Sequence, residues 1–182
     1  MTKHTVLFVG KFDPPHINHV RAASAIMRHS DVESVWIFPL ASDNDKHVRN
    51  MCTIWCADMS LGGEKPVCCT AGLDKGLATA TEAWEWTKAR FPALDLKMAM
   101  FEKEFDFADD DKDAVWSSYT IKTGGGRVTA NLGGRFIVLN FPSVPPDLVE
   151  RIKGGSNESR NFIAPIWDYL QKHRLYRTGG KK

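Results

Sequence analysis

A chain of 182 residues with 43% hydrophobic content can bury one sizeable core but not two large ones, so a single domain is expected. Its 24 basic and 22 acidic residues leave a net charge of only +2, without the cationic excess of a nucleic-acid footprint. The longest apolar runs, Thr5 to Val9 and Val35 to Leu40, are strand-sized and far below the roughly 20 residues of a membrane span, which argues against a membrane partner.

The first residues run from Met1-Thr2-Lys3-His4 into a strand, without the charged region, apolar stretch and cleavage site of a signal peptide. A cytoplasmic or nuclear location is therefore expected. Val6 to Val9 reads as an apolar strand, followed by a helix over Ile17 to Arg28 with Val20, Ala23 and Met27 on one face. Val35 to Phe38 is a second strand, and Met51, Trp55 and Met59 recur every four residues in a helix over Val48 to Met59. Val67 to Thr70 is a third strand. Thr79-Ala80-Thr81-Glu82 carries a capping-box signal before a helix with Ala83, Trp84, Thr87 and Phe91 inward, closed by Pro92.

Leu94 to Met100 and Arg135 to Phe141 are further strands, and the polar stretch between them is expected to hold a helix near Asp113 to Tyr119. Pro146 to Lys153 reads as a short helix ended by Gly154, and Pro165 opens a last helix through His173. Apolar strands separated by helices predict an α/β fold: a Rossmann-like, doubly wound parallel sheet of five to six strands, helices on both faces, and a C-terminal helical segment. Residues 1–176 form the expected domain and 177–182 a mobile basic tail. Monomer and homo-oligomer both remain open.

In open α/β sheets, ligands bind beyond the carboxyl ends of the strands, where the first turn offers backbone N–H groups and a helix N-terminus. That turn here is Gly10-Lys11-Phe12-Asp13-Pro14-Pro15-His16-Ile17-Asn18-His19. Gly10 permits close backbone approach, Pro14 and Pro15 stiffen the loop, and imidazoles three apart at a helix start can both face one phosphate. The segment resembles the G-x-F-D-P-x-H/T-x-G-H signature of the nucleotidyltransferases. Gly154-Gly155-Ser156-Asn157-Glu158-Ser159-Arg160 is similar to the second signature of their adenylyltransferase branch, I-S-S-T-x-x-R, with Ser156 and Arg160 matching. Pro165 to Leu170 and Leu175-Tyr176 resemble the closing helix of the nicotinate-mononucleotide adenylyltransferases.

The resemblance implies that Gly10, Lys11, Phe12, His16, His19, Ser156, Asn157 and Arg160 contact ATP, with His16, His19 and Arg160 catalytic. In such a family the second segment starts a helix that grips phosphates, a task suited to helix amides and a permanently charged guanidinium. The turn Thr79-Ala80-Thr81 and the aromatic Trp116 would hold the pyridine mononucleotide, Trp116 by stacking. Mg²⁺ is expected to arrive with ATP, since this ion keeps much of its hydration shell.

The implied reaction is attack of the phosphate of nicotinamide or nicotinate mononucleotide on the α-phosphorus of ATP, with release of pyrophosphate. The attacking group is already anionic, so catalysis reduces to positioning and charge stabilisation. Lys46 and Arg49, beyond the second strand, are further candidates for ATP phosphates.

Three departures from the pattern stand out. Asn18 replaces a glycine, Gly155 and Asn157 replace a Ser and a Thr, and Phe101-Glu102-Lys103 stands where the branch shows Gly-Ala-Asp. A pantetheine-phosphate adenylyltransferase, or a catalytically weak ATP-binding protein of the same fold, are the alternatives. A class I tRNA-synthetase fragment is set aside, because no K-M-S-K-S-like loop is present. Ser117 to Thr120 falls in the wrong place for the pyridine turn. Asp109 to Asp113 reads as a solvated acidic loop rather than a metal site, and Gly124 to Gly126 lacks the Lys-Ser/Thr of a P-loop. Cys52 and Cys56, four apart, and the adjacent Cys68 and Cys69 lack zinc or redox spacing and are expected to be packing thiols.

Overall fold

A computed structural model describes residues 3–101, 118–124, 127–132, 135–140 and 144–177. The chain order is β1 (His4–Gly10), α1 (Ile17–Met27), β2 (Val32–Pro39), α2 (Asp45–Leu61), β3 (Val67–Cys68), α3 (Ala71–Lys75), α4 (Ala80–Arg90) and β4 (Leu96–Phe101). It continues with β5 (Ser118–Gly124), β6 (Arg127–Leu132), β7 (Arg135–Asn140), α5 (Leu148–Lys153), a 3₁₀ turn (Ser159–Asn161) and α6 (Ala164–His173).

The strands form one sheet in the order β3-β2-β1-β4-β5-β6-β7. Its first four strands are parallel and joined by the helical crossovers of a doubly wound α/β fold. Strand β5 adds in parallel to β4, and β6 and β7 then pair antiparallel. Among the described residues the sheet thus has seven strands where five to six were expected, and β7 runs with the parallel set only by way of the reversed β6.

The expected helix near Asp113 to Tyr119 is corrected at its end, because Ser118 and Tyr119 open β5. The run Ser118-Tyr119-Thr120-Ile121-Lys122-Thr123 is rich in β-branched residues, and pairing with β4 and β6 outweighs any local helical preference. Residues 113–117, with Trp116, lie outside the described residues, as do the acidic run Asp109 to Asp113 and positions 178–182. Arg177, expected in the tail, still hydrogen-bonds the Gln171 side chain.

Alternation along β1 builds two cores. Val6 and Phe8 face the layer of α1, α2, α5 and α6, while Leu7 and Val9 face α4. Met51, Trp55 and Met59 on α2 are all buried, and so are Ala83 and Thr87 on α4, as their spacing predicts. The short α3 was not expected. Its Gly72 sits so close to the Pro39 carbonyl that a Cβ would lie 2.1 Å from that oxygen, so only glycine fits there. No helix among the described residues is long and apolar enough to cross a membrane.

Candidate active site

The parallel strands end together on one edge, where Gly10 is the register partner of Pro39 and the Gly10 carbonyl accepts from Leu40 N–H at 2.9 Å. The chain leaves β1 to the α1 side and, through β2, to α2, so both helix N-termini open at this edge. Strand β1 pairs with β2 on one side and β4 on the other, the point where strand order reverses. Crevices at such switch points are the usual ligand positions of the architecture.

His16 is the N-cap of α1 and His19 stands three residues on. The His16 backbone N–H donates to His19 Nδ1 at 3.0 Å, while the His19 N–H donates to the His16 carbonyl at 2.9 Å. The capping-box logic usually served by Ser and Glu is served here by two histidines. Their rings stack with centroids 3.7 Å apart and planes 26° apart, rather than standing side by side. His16 is half-buried and His19 is buried.

An aromatic cage explains that burial. Phe12 meets the His19 ring edge-on at 5.1 Å, and Phe8 and Trp55 lie at 6.3 and 6.4 Å. Burial in this cage pushes the His19 pKa down to about 3, so the ring is neutral near pH 7. Phe12, expected against ATP, has its ring in the core at 1% exposure, which leaves its backbone as the part that can face a ligand. Phe12 adopts φ +48, a left-handed conformation that turns the chain between β1 and the prolines.

Asp13 ties the loop to two other segments. Its carboxylate accepts from Asn44 Nδ2 at 3.0 and 3.3 Å and from the Tyr176 hydroxyl. Asn44 is the residue before α2, and Lys46 is exposed in the first turn of that helix. Lys11 is exposed in the loop itself, whereas Asn18 is buried at the start of α1. Arg49 is committed elsewhere: its guanidinium pairs with Asp74 of α3, which also accepts from Thr70 Oγ1 at 2.9 Å.

The second segment departs from its expected form. Ser156 and Asn157 lie in an exposed loop, Arg160 is exposed within the 3₁₀ turn, and the regular helix begins only at Ala164. Asn157 Oδ1 accepts from Ser159 N–H at 3.1 Å, so its side chain closes a local turn. Buried Glu158 anchors the loop, accepting from Arg151 Nε at 2.7 Å and Asn161 Nδ2 at 2.8 Å. The 3₁₀ turn packs against α1, which brings the second segment to the helix that carries His19.

Thr79 caps α4 as its sequence predicts. Its hydroxyl accepts from Glu82 N–H at 3.2 Å, and Glu82 Oε2 accepts from the N–H groups of Ala78 and Thr79 at 2.8 and 2.9 Å. Ala80 and Thr81, in the first turn, are half-buried.

The folded chain resembles known structures as a whole. It superposes on the Plasmodium falciparum nicotinic acid mononucleotide adenylyltransferase complexed with NaAD at TM-score 0.67 and 14% identity, covering 96% of this chain and 97% of that one. The fold is that of the nicotinate mononucleotide adenylyltransferases. The same Plasmodium enzyme complexed with APC matches at TM-score 0.66 and 14% identity, covering 96% and 97%. A Vibrio parahaemolyticus protein assigned as a nicotinate-nucleotide adenylyltransferase matches at 0.68 and 14%, covering 97% and 96%. The sequence itself matches no protein-family model and no curated protein.

Asp13, Asn44, Trp55 and Tyr176 join the site without having been singled out for it from the sequence. Asp13 stood inside the motif and Tyr176 inside the closing-helix resemblance, but nothing local pairs residues 163 positions apart. Among the four free thiols, Cys52 and Cys56 are buried as expected. Half-buried Cys68 differs: a hydrogen bond from Cys56, then Thr53 and the charge of Arg49, outweigh partial burial and lower its pKa to about 7.

Proposed function

We propose that the protein transfers the AMP moiety of ATP to nicotinate or nicotinamide mononucleotide. A phosphate oxygen of the mononucleotide attacks the α-phosphorus, the bond to the β-phosphate breaks, and pyrophosphate leaves. The observation that carries this reading is the stacked His16–His19 pair at the N-terminus of an α-helix beyond the first strand. A helix N-terminus attracts phosphate, and a neutral imidazole whose Nδ1 already accepts a hydrogen bond presents its hydrogen on Nε2 as a donor.

The donor strengthens as charge builds on the transferring phosphoryl group, in surroundings too apolar to reorganise. Lys11, Lys46, Ser156 and Arg160 supply further polar or cationic contacts to ATP in this reading, and Gly10, the Phe12 backbone and Asn157 line the approach. The exposed side chains Lys11, Lys46 and Arg160 would close on the phosphates when ATP binds. Thr79, Ala80, Thr81 and Trp116 hold the mononucleotide. With the Ala78 and Thr79 amides held by Glu82, the amides of Ala80 and Thr81 are the turn's candidates for the pyridine substituent.

Mg²⁺ accompanies ATP, neutralising phosphate charge while held by the nucleotide and water. Among the described residues no three His, Cys, Asp or Glu are grouped to hold a metal ion. The solved relatives named for nicotinic acid mononucleotide make the acid form the first acceptor to test. A cytoplasmic or nuclear location fits such a reaction.

Incubation with ATP, Mg²⁺ and each of nicotinate mononucleotide, nicotinamide mononucleotide and phosphopantetheine, with pyrophosphate measured, tests the reading. Release with a pyridine mononucleotide alone is expected. Release with phosphopantetheine alone names the other enzyme. A second reading, an ATP-binding protein without turnover, is favoured by the buried Asn18 side chain and by the loop at Ser156 to Arg160 where a helix start was expected. ATP binding without pyrophosphate from any acceptor would establish it.

A further inference from the structure

We propose that Tyr176 is a positioning residue for the phosphate loop, acting through Asp13 to fix where α1 begins and hence where His16 and His19 stand. The inference rests on the adenylyl-transfer reading for its catalytic consequence but not for its structural one.

Three segments distant in sequence meet at the Asp13 carboxylate. Asn44 reaches it from 31 positions away and Tyr176 from 163. Asp13 lies three residues before the N-cap His16, so a displacement of its carboxylate is passed directly to the helix start. Backbone geometry marks the same place independently. The described non-glycine residues with positive φ are Phe12, Arg174 and Tyr176, at +48, +51 and +61. Arg174 is the left-handed cap of α6, an ordinary position for that conformation. Phe12, which turns the chain after β1, and Tyr176, in the turn closed by Arg177 N–H on the Arg174 carbonyl, stand next to one end and at the other end of a single hydrogen bond. Bulky residues hold a left-handed backbone only where surrounding contacts over-determine it, and such positions cluster at clamps.

The far end of the clasp is itself fastened. Tyr169 on α6 accepts from Asn50 Nδ2 at 2.8 Å and lies 3.0 Å from His47 Nδ1, both on α2. The C-terminal turn therefore starts from a helix pinned to α2 and ends on the loop after β1. Burial and then the Asp13 carboxylate raise the Tyr176 pKa above its ordinary range, so the hydroxyl keeps the proton that it donates.

Tyr176→Phe removes only the hydroxyl, with Thr70→Val as the control that removes a hydroxyl bonded to Asp74 and away from Asp13. Hydrogen exchange in peptides spanning residues 11–19 is expected to speed about tenfold in Tyr176→Phe, with β2 and α4 peptides unchanged. Pyrophosphate turnover is expected to fall about tenfold while the KM for ATP stays within about twofold, as for a group that aligns donors in the transition state. Unchanged exchange over residues 11–19, equal acceleration in Thr70→Val, or unchanged turnover in an active enzyme would each overturn the proposal. Faster exchange in a protein whose wild type releases no pyrophosphate would refute adenylyl transfer and leave the clasp standing.

Discussion

The His16 backbone N–H donates to Nδ1 of His19, and this one bond decides which face of the second histidine can do chemistry. With Nδ1 accepting and the ring neutral, the remaining hydrogen sits on Nε2. Protonation cannot add a second hydrogen at Nδ1 without breaking the cap, and the aromatic cage opposes the charge as well. His19 is thus built as a fixed hydrogen-bond donor rather than a proton shuttle.

His19→Ala is expected to lower adenylyl-transfer turnover by about two orders of magnitude or more, the scale of losing one preorganised transition-state donor. Pyrophosphate release gives the rate and circular dichroism the fold. Near-normal turnover in a folded variant would remove His19 from the mechanism.

The same residue makes stability depend on pH. The folded pKa, near 3, lies below the ordinary 6.5, so between those values the unfolded chain binds a proton that the folded chain does not. Stability is therefore lost as pH falls, at up to about 1.4 kcal/mol per pH unit from this group. Urea unfolding of wild type and His19→Leu between pH 7 and pH 4 checks it. The difference between the two midpoints should shift steadily in favour of the variant toward acid; parallel curves would refute it.

Cys68 should be the first thiol to react. Its pKa is lowered to about 7, while burial raises those of Cys52 and Cys69, and the Cys56 thiol is raised chiefly by its hydrogen bond to Cys68 and then by burial. Iodoacetamide labelling followed by mass spectrometry should show Cys68 modified with a midpoint near pH 7, moving upward in Cys56→Ala, which deletes the main stabilising hydrogen bond. Equal labelling of Cys68 and Cys69 across pH 6 to 9 would contradict the assignment.

Arg49 is expected to be dispensable for ATP. Its pairing with Asp74 occupies the guanidinium, and both side chains are well exposed, so the ion pair contributes little to folding. Arg49→Ala should leave the thermal midpoint and the KM for ATP close to wild type, while Lys46→Ala raises that KM several-fold if Lys46 meets phosphate. A large KM effect at Arg49 would mean that ATP breaks the Asp74 pair.

Much of the architecture was legible because its signals are local. Apolar runs marked β1 and β2, the four-residue spacing of Met51, Trp55 and Met59 marked the buried face of α2, and Thr79 with Glu82 announced the cap of α4. The strands β5 and β6 were not legible, since short polar, β-branched segments become strands by pairing with neighbours. Arg49 looked like a phosphate contact because a side chain's partner is invisible until the chain folds.

By itself the sequence determined the α/β alternation, the glycine, prolines and histidines of the first turn, and the caps, since these depend on residues a few positions apart. Tertiary structure alone decided that His19 is caged and neutral, that Glu158 anchors the second loop, and that Tyr176 reaches Asp13. Burial, dielectric surroundings and hydrogen-bond partners are set by contacts between segments remote in the chain, and no local spacing encodes them.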